Sequence, residues 1–297
     1  MLEVGVTEAE AGHVERGPGV EAPPPSFLRE KTWSLGATVG LLAMGALFVL
    51  PLVWLVLAAF DAHATSSLRW PDWSIANFTA AGSSANLESL LRSLELGLIS
   101  AAVATVPAVP AGYALSRRHI PLKDGLMVAV LFLTAVPIAI VVIPVYVFLS
   151  SNGLLNMLPA GIFIGVTNLP FALWLVRAAV QSVPADLEEA AVMERAHLWQ
   201  VIVRVTGPLA APGIAASAFF AFAAGWSAFL VPLVLISAPS QTPAALALFG
   251  FIHSGSLVQY GDLAAFSLMY SLPVVVIYLL VSRLVKGGFA FGGAVRG

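Results

Sequence analysis

The sequence predicts an all-α, polytopic membrane protein with six transmembrane helices. Composition is the first support. Of 297 residues, 59% are hydrophobic and only 10% are charged, against roughly 25% charged in a soluble domain, and the mean hydropathy is +0.92. The second support is six apolar runs, each long enough to cross about 30 Å of hydrocarbon as a helix of roughly 20 residues. The third is the lopsided placement of lysine and arginine around those runs.

Residues 1–31, MLEVGVTEAEAGHVERGPGVEAPPPSFLREK, hold six glutamates and four prolines. They lack the basic start and apolar core of a secretory signal and read as a disordered cytoplasmic tail. A six-helix domain follows over 32–286, with spans near 35–60, 91–115, 126–149, 157–180, 213–236 and 263–285. Residues 287–297 form a second cytoplasmic tail. Every span contains proline: Pro51, Pro107, Pro110, Pro137, Pro144, Pro170, Pro232 and Pro273. Such prolines persist only where neighbouring helices, hydroxyls or water satisfy the freed carbonyls, so kinked helices in a packed bundle are expected.

Orientation follows from the basic residues. Arg16, Arg29 and Lys31 precede the first span, and Arg117, Arg118 and Lys123 lie between the second and third. Arg177, Arg195 and Arg204 lie at or between the fourth and fifth, and Arg283, Lys286 and Arg296 lie at the end. Only Arg69 and Arg92 fall on the other side, which puts both termini in the cytoplasm. The outward loops are then 61–90, a short SSNGLLN turn and 237–262.

The interior is almost free of ionisable groups, which argues against a proton relay. Arg92 and Glu95 stand at the outer entrance of the second span, three residues apart and able to pair. Arg177 reads as a snorkelling anchor. Neutral polar and aromatic side chains remain: Tyr146, Thr167, Asn168, Trp174, Trp226, Ser227 and Tyr270. As a group they suit a polyhydroxylated solute, and Tyr146, Thr167, Asn168, Trp226 and Ser227 are the candidates for its path, although each could equally glue helices together. No phosphate loop, HExxH, GxSxG or paired-histidine spacing occurs, and there is no cysteine, so no catalytic residue or metal site is expected. A chain without an energy source needs a partner that has one.

PADLEEAAVMERAHLWQVIVRVTGPLAAPG, residues 184–213, is the charged exception. Ser182 can cap a helix, Pro184 suits its first turn, and Asp186, Glu188 and Glu189 place negative charge at its positive end. Leu187, Ala190, Ala191 and Met193, then Leu198, Val201, Ile202 and Val205, recur near one helical face, and Pro208 and Pro212 stop the helix before the fifth span. Anionic lipid would repel the leading acids, so a protein partner with a basic groove is expected, and no nucleic acid.

These residues resemble the EAA loop of membrane permeases in binding-protein-dependent ABC importers. Glu189, Ala190, Ala191 and Ala196 fall in the motif, Trp199 and Gln200 are similar to a pair seen in the sugar branch, and Pro208, Leu209 and Pro212 match its exit. Arg195 stands where the family has glycine, which calls for an ordinary right-handed turn or a more continuous helix. GYALSRRHIPLKDG, IPVYVFLSSNGLLN, GWSAFLVPLVLI and the final GGAVRG also resemble family segments, the last being similar to the tail of maltose-type permeases. In GWSAFLVPLVLI, Ser227 and Ala228 replace a family Asn-Glu pair.

The resemblance implies the ABC type I importer permease fold, and half of a heterodimeric pore, joined to a second permease subunit, two ATPase subunits that bind ATP and Mg, and an extracytoplasmic solute-binding protein. It implies ATPase coupling through Glu188, Glu189, Ala190, Ala191, Arg195, Ala196 and Pro208. It further implies an ATPase contact by Gly293, Ala294, Val295, Arg296 and Gly297. The expected solute is a sugar or oligosaccharide; a glycerol 3-phosphate or glycerophosphodiester importer and a self-contained secondary carrier are the alternatives.

Overall fold

A computed structural model describes residues 35–253 and 258–293. Among them there are helices and no strand, only an isolated bridge between Asp61 and Trp73. The described residues up to Leu50 form one compact unit and those from Pro51 another. The expected tail, 1–31, lies outside the described residues.

Helix α1 covers Leu35–Ala59 with Pro51 inside it. In the first unit Leu42, Leu47 and Phe48 are exposed, as suits a helix whose solvent is lipid. The second unit opens with a short α2, Ala76–Ala81, and the 34-residue α3, Ser84–Arg117. Helix α3 begins well before the expected second span and takes Arg92 and Glu95 into its first turns, where they pair at 3.0 Å.

The third apolar run is not one rod. Helix α4, Lys123–Phe132, with a 3₁₀ turn at Leu133–Ala135, meets α5, Ile138–Ser151, at a bend of 82°. Pro137 explains the break. Val136 precedes it and is held extended at φ −71°, ψ 120°, the geometry a following proline favours.

Helix α6, Met157–Gln181, matches the fourth run. The fifth departs from expectation. Helices α7, Ala185–Met193, and α8, Leu198–Val201, lead into a π-helical turn, Ile202–Thr206, and on into α9, Gly207–Trp226. Pro208 and Pro212 therefore lie inside a continuous helix and do not stop it. The wider π turn just before Pro208 relieves the clash between its ring and the preceding carbonyls. The helix ends instead at Trp226, ten residues short of the expected end. Continuing it would drive the ring of Pro232 into the Ala228 carbonyl, so the chain breaks at 227–229 and restarts as α10, Leu230–Leu235. Helices α11, Ala244–His253, and α12, Tyr260–Gly293, follow. Among the described residues, five helices are long and apolar enough to cross a membrane, and six if the bent α4–α5 pair counts as one span.

Helices α3, α6 and α9 pack against one another through small residues, which let backbones approach closely in lipid. A Cβ on Gly165 would sit 2.6 Å from Val103, and one on Gly225 would sit 2.8 Å from Gly97. Ser100 Oγ donates to the Ala221 carbonyl at 3.0 Å across the same seam.

At the end of α1 the loop folds tightly on a buried carboxylate. Asp61, 3% exposed, accepts bonds from Arg69 Nε at 2.7 Å and Nη2 at 2.9 Å, and from the amides of His63 and Asp72 at 3.1 Å each. Asn77 Nδ2 donates to the Asp61 carbonyl at 2.9 Å. Trp70 and Trp73 stand exposed at an edge-to-face angle of 85°. The Arg69 hydrogen bond holds the Asp61 carboxyl below the usual carboxylate range, and Asp61 in turn raises Arg69. A lowered folded pKa contributes order that is present above the unfolded value and lost as pH falls below it. Amide protection over residues 61–74, taken relative to the intrinsic exchange rate at each pH, is therefore expected to be high at neutral pH, to fall on acidification below about pH 4, and to be low at every pH in Asp61→Asn.

Candidate functional site

The loop between α6 and α9 is built by two interruptions of helix. At the first, Ser182 closes α6, its Oγ donating to the Ala179 carbonyl at 2.8 Å, while Pro184, extended at φ −58°, ψ 130°, precedes α7. Ser182 thus caps the helix behind it, not the one ahead. At the second, Arg195 adopts a left-handed conformation at φ 61°. Its amide bonds to the Val192 carbonyl at 2.9 Å, and the Ala196 amide bonds to that of Ala191 at 3.0 Å. This pair is a Schellman motif with Arg195 in the place usually taken by glycine. The expected right-handed turn or continuous helix is not what forms. The ring of bonds satisfies the last carbonyls of α7, and only a left-handed residue closes it.

Beyond the turn, the His197 amide donates to Gln200 Oε1 at 2.9 Å and starts α8. The apolar residues expected on one face divide. Val201 and Ile202 are buried, whereas Leu187, Met193 and Leu198 are exposed together with Val192 and Trp199, Met193 at 84%. Glu189, Ala190, Glu194 and Arg195 share that exposed surface, with Ala191 and Ala196 half-buried. An apolar patch of this kind, rimmed by charge, marks a protein interaction site.

Glu188 turns the other way. It is 7% exposed, and its carboxylate accepts from Tyr113 Oη at 3.0 Å, Arg117 Nε at 3.0 Å and Thr206 Oγ1 at 3.0 Å. Arg117 Nη2 lies 2.9 Å from the same carboxylate and also donates to the carbonyls of Val180 and Val183 at 3.0 and 2.6 Å. One acid thereby joins the end of α3, the end of α6, helix α7 and the π turn below α9. Glu188, one of the residues expected in ATPase coupling, is buried as an internal tie. Removing one partner from a buried ion pair typically costs about 3–5 kcal/mol, because the other charge is left uncompensated. Arg177, expected as a free anchor, likewise makes a tie: its Nη2 donates to Asp124 Oδ1 at 2.6 Å, joining α6 to α4.

Tyr113, Arg117 and Thr206 were not among the sequence candidates. A signal existed for two of them, since Tyr113 and Arg117 stand four apart on one helical face.

The solute-path candidates do not converge. Asn168 lines a cavity of about 210 Å³ with Ile138, Ile164, Ala224, Ala228 and Phe229, where α9 breaks. Asn168 Nδ2 and Thr167 Oγ1 both donate to the Ile164 carbonyl at 2.8 Å. Trp226 is buried instead against Tyr270, ring centroids 5.3 Å apart, and its carbonyl accepts from Tyr270 Oη. Tyr146 lies exposed on α5, and Ser227 Oγ donates to the Ala223 carbonyl at 2.7 Å. Of the C-terminal candidates, Gly293 is the last residue of α12, and Ala294, Val295, Arg296 and Gly297 lie outside the described residues. Pro208 sits within α9.

Residues 108–287 match the family described as binding-protein-dependent transport system inner membrane component. That range contains every member of the Glu188 cluster. The chain belongs to this family. A probable ABC transporter permease of Sinorhizobium fredii is 30% identical over 89% of this chain and 95% of its own length. The trehalose transport system permease protein SugB of Mycobacterium tuberculosis is 32% identical over 70% of this chain and 77% of its own. Among solved structures, a bacterial ABC transporter involved in import of the polysaccharide alginate contains a chain of the same fold. It matches with a TM-score of 0.70 and 20% identity, over 88% of this chain and 99% of that one. The protein is thus an inner-membrane transport component of the ABC importer permease fold.

The Schellman turn gives a direct test. Arg195→Val, with a β-branched side chain in a left-handed position, is expected to weaken the turn by about 1 kcal/mol. Amide exchange at 195 and 196 should then quicken about fivefold, and Arg195→Gly should not show this.

Proposed function

We propose that this chain is a permease subunit of an ATP-driven importer for a sugar or oligosaccharide. It forms half of a heterodimeric pore with a second permease, is fed by an extracytoplasmic solute-binding protein, and is driven by two ATPase subunits that bind ATP and Mg. The observation that carries this is the exposed patch of Leu187, Val192, Met193, Leu198 and Trp199, with Glu189 at its edge, mounted on the buried Glu188 tie. Such a surface suits a cleft of mixed apolar and basic character. The excess of lysine and arginine at the same end supports a cytoplasmic placement for it and for both termini.

The solute class rests on the relatives. Besides the trehalose permease, a diacetylchitobiose uptake system permease of Streptomyces coelicolor is 26% identical over 85% of this chain. The cavity beside Asn168 is lined by neutral groups, which suits an uncharged polyol and leaves an anionic glycerol phosphate without a counter-charge. Selectivity among sugars belongs to the binding protein in this reading, with Asn168 the one path candidate that meets the cavity. The tail from Gly293 onward is proposed to reach the ATPase interface.

Two measurements test this. Glu189→Lys is expected to leave the chain in the membrane but to cut ATPase co-purification and import by roughly tenfold or more, the usual consequence of a like-charge clash at a docking hot spot. Normal co-purification and import would remove Glu189 from the interface. Proteoliposomes holding the permease pair without ATPase should show no uptake down an ion gradient; ATP-independent uptake would establish a secondary carrier instead.

A further inference from the structure

The two adjacent acids of the loop do opposite jobs. We infer that Glu188 is a positioning residue for coupling: it makes the exposed loop and three spanning helices move as one body, and it touches no ATPase. This deepens the proposed function and rests on it.

The geometry requires such a tie. Helix α7 is only nine residues long and is attached by two non-helical joints, 182–184 on one side and 194–197 on the other. A force on its exposed face would rotate it about these joints unless something fixed its inner face. Glu188 is the buried polar residue of that face. Its partners sit on separate spans: Tyr113 and Arg117 on α3, Thr206 in the π turn below α9, and, through Arg117, the carbonyls of Val180 and Val183 at the end of α6. The π turn belongs to this arrangement, since Thr206 lies within it and donates to the carboxylate. Displacing α7 therefore carries α3, α6 and α9, the helices packed most closely at their glycines. Glu189, one residue on and exposed, is left free to face a partner.

The test uses the complete reconstituted importer and reads two quantities, the ATPase retained on purification and the solute imported per ATP hydrolysed. Glu188→Gln keeps the size and an acceptor but removes the charge. It is expected to retain wild-type amounts of ATPase and continued ATP hydrolysis while import per ATP falls roughly tenfold, within the usual span of a coupling free energy between sites. Tyr113→Phe and Thr206→Val each remove one donor and leave the Arg117 ion pair in place, so folding is spared. Each is expected to lower the same ratio several-fold, with Glu188→Asp restoring part of it. A wild-type ratio in Glu188→Gln, or loss of import that only tracks loss of ATPase from the complex, overturns the inference and leaves the importer reading standing. A wild-type permease that retains no ATPase overturns both.

Discussion

A buried carboxylate needs partners, and meeting that need organises one end of this molecule. Glu188 is enclosed where α3, α6, α7 and the π turn meet, and an uncompensated charge there would cost several kcal/mol. Arg117 supplies the opposite charge but brings donors in excess of what one carboxylate takes. The surplus falls on the carbonyls of Val180 and Val183, which the end of α6 leaves open. Tyr113 and Thr206 fill the remaining acceptor positions. Each element is thus held by a group it could not satisfy alone, and the loop inherits the rigidity of the bundle.

The rest of the bundle is held differently because its surroundings forbid charge. Between α3, α6 and α9 the contacts are glycine, alanine and serine, and attraction comes from close packing and a hydroxyl bond such as Ser100 to Ala221. Close packing resists sliding but gives no room for a solute. Room appears where proline forbids helix. Pro137 bends α4 from α5 and Pro232 ends α9, and the cavity beside Asn168 opens between Ile138 and Ala228, next to both breaks. A closely packed three-helix body thus lies beside two broken spans, with the cavity next to the breaks.

Much of this was legible in the sequence and some was not, for physical reasons. Apolar runs located α1, α6 and α12 closely, because length and hydropathy alone decide a span. The fifth was misplaced because Pro208 and Pro212 read as stops, and only the π turn shows that residues 198–212 continue into α9. Arg92 and Glu95 were readable as a pair because both lie on one helix. Glu188 and Glu189 were not distinguishable, because successive helical residues point about 100° apart and which one faces inward depends on how α7 docks. How the solute-path residues are arranged was hidden for a related reason: residue type says that Trp226 can meet a sugar, but only packing shows that it meets Tyr270 and that Asn168 meets the cavity.

Arg195 shows how a departure from a family pattern is absorbed. The turn after α7 must reverse direction within two residues, and the Schellman ring does so only with a left-handed residue. Glycine adopts that conformation freely, whereas an arginine gives up roughly 1–2 kcal/mol. Part of this returns electrostatically, because a cation just past the last turn of a helix faces the negative end of its dipole, worth about 0.3–1 kcal/mol near the surface. The six- and four-residue hydrogen bonds of the ring are both made. With the ring closed at Arg195, Met193 and Trp199 stand exposed and Glu188 reaches Arg117. Arginine at this position therefore adds a positive charge to the exposed surface of the loop while the turn still closes.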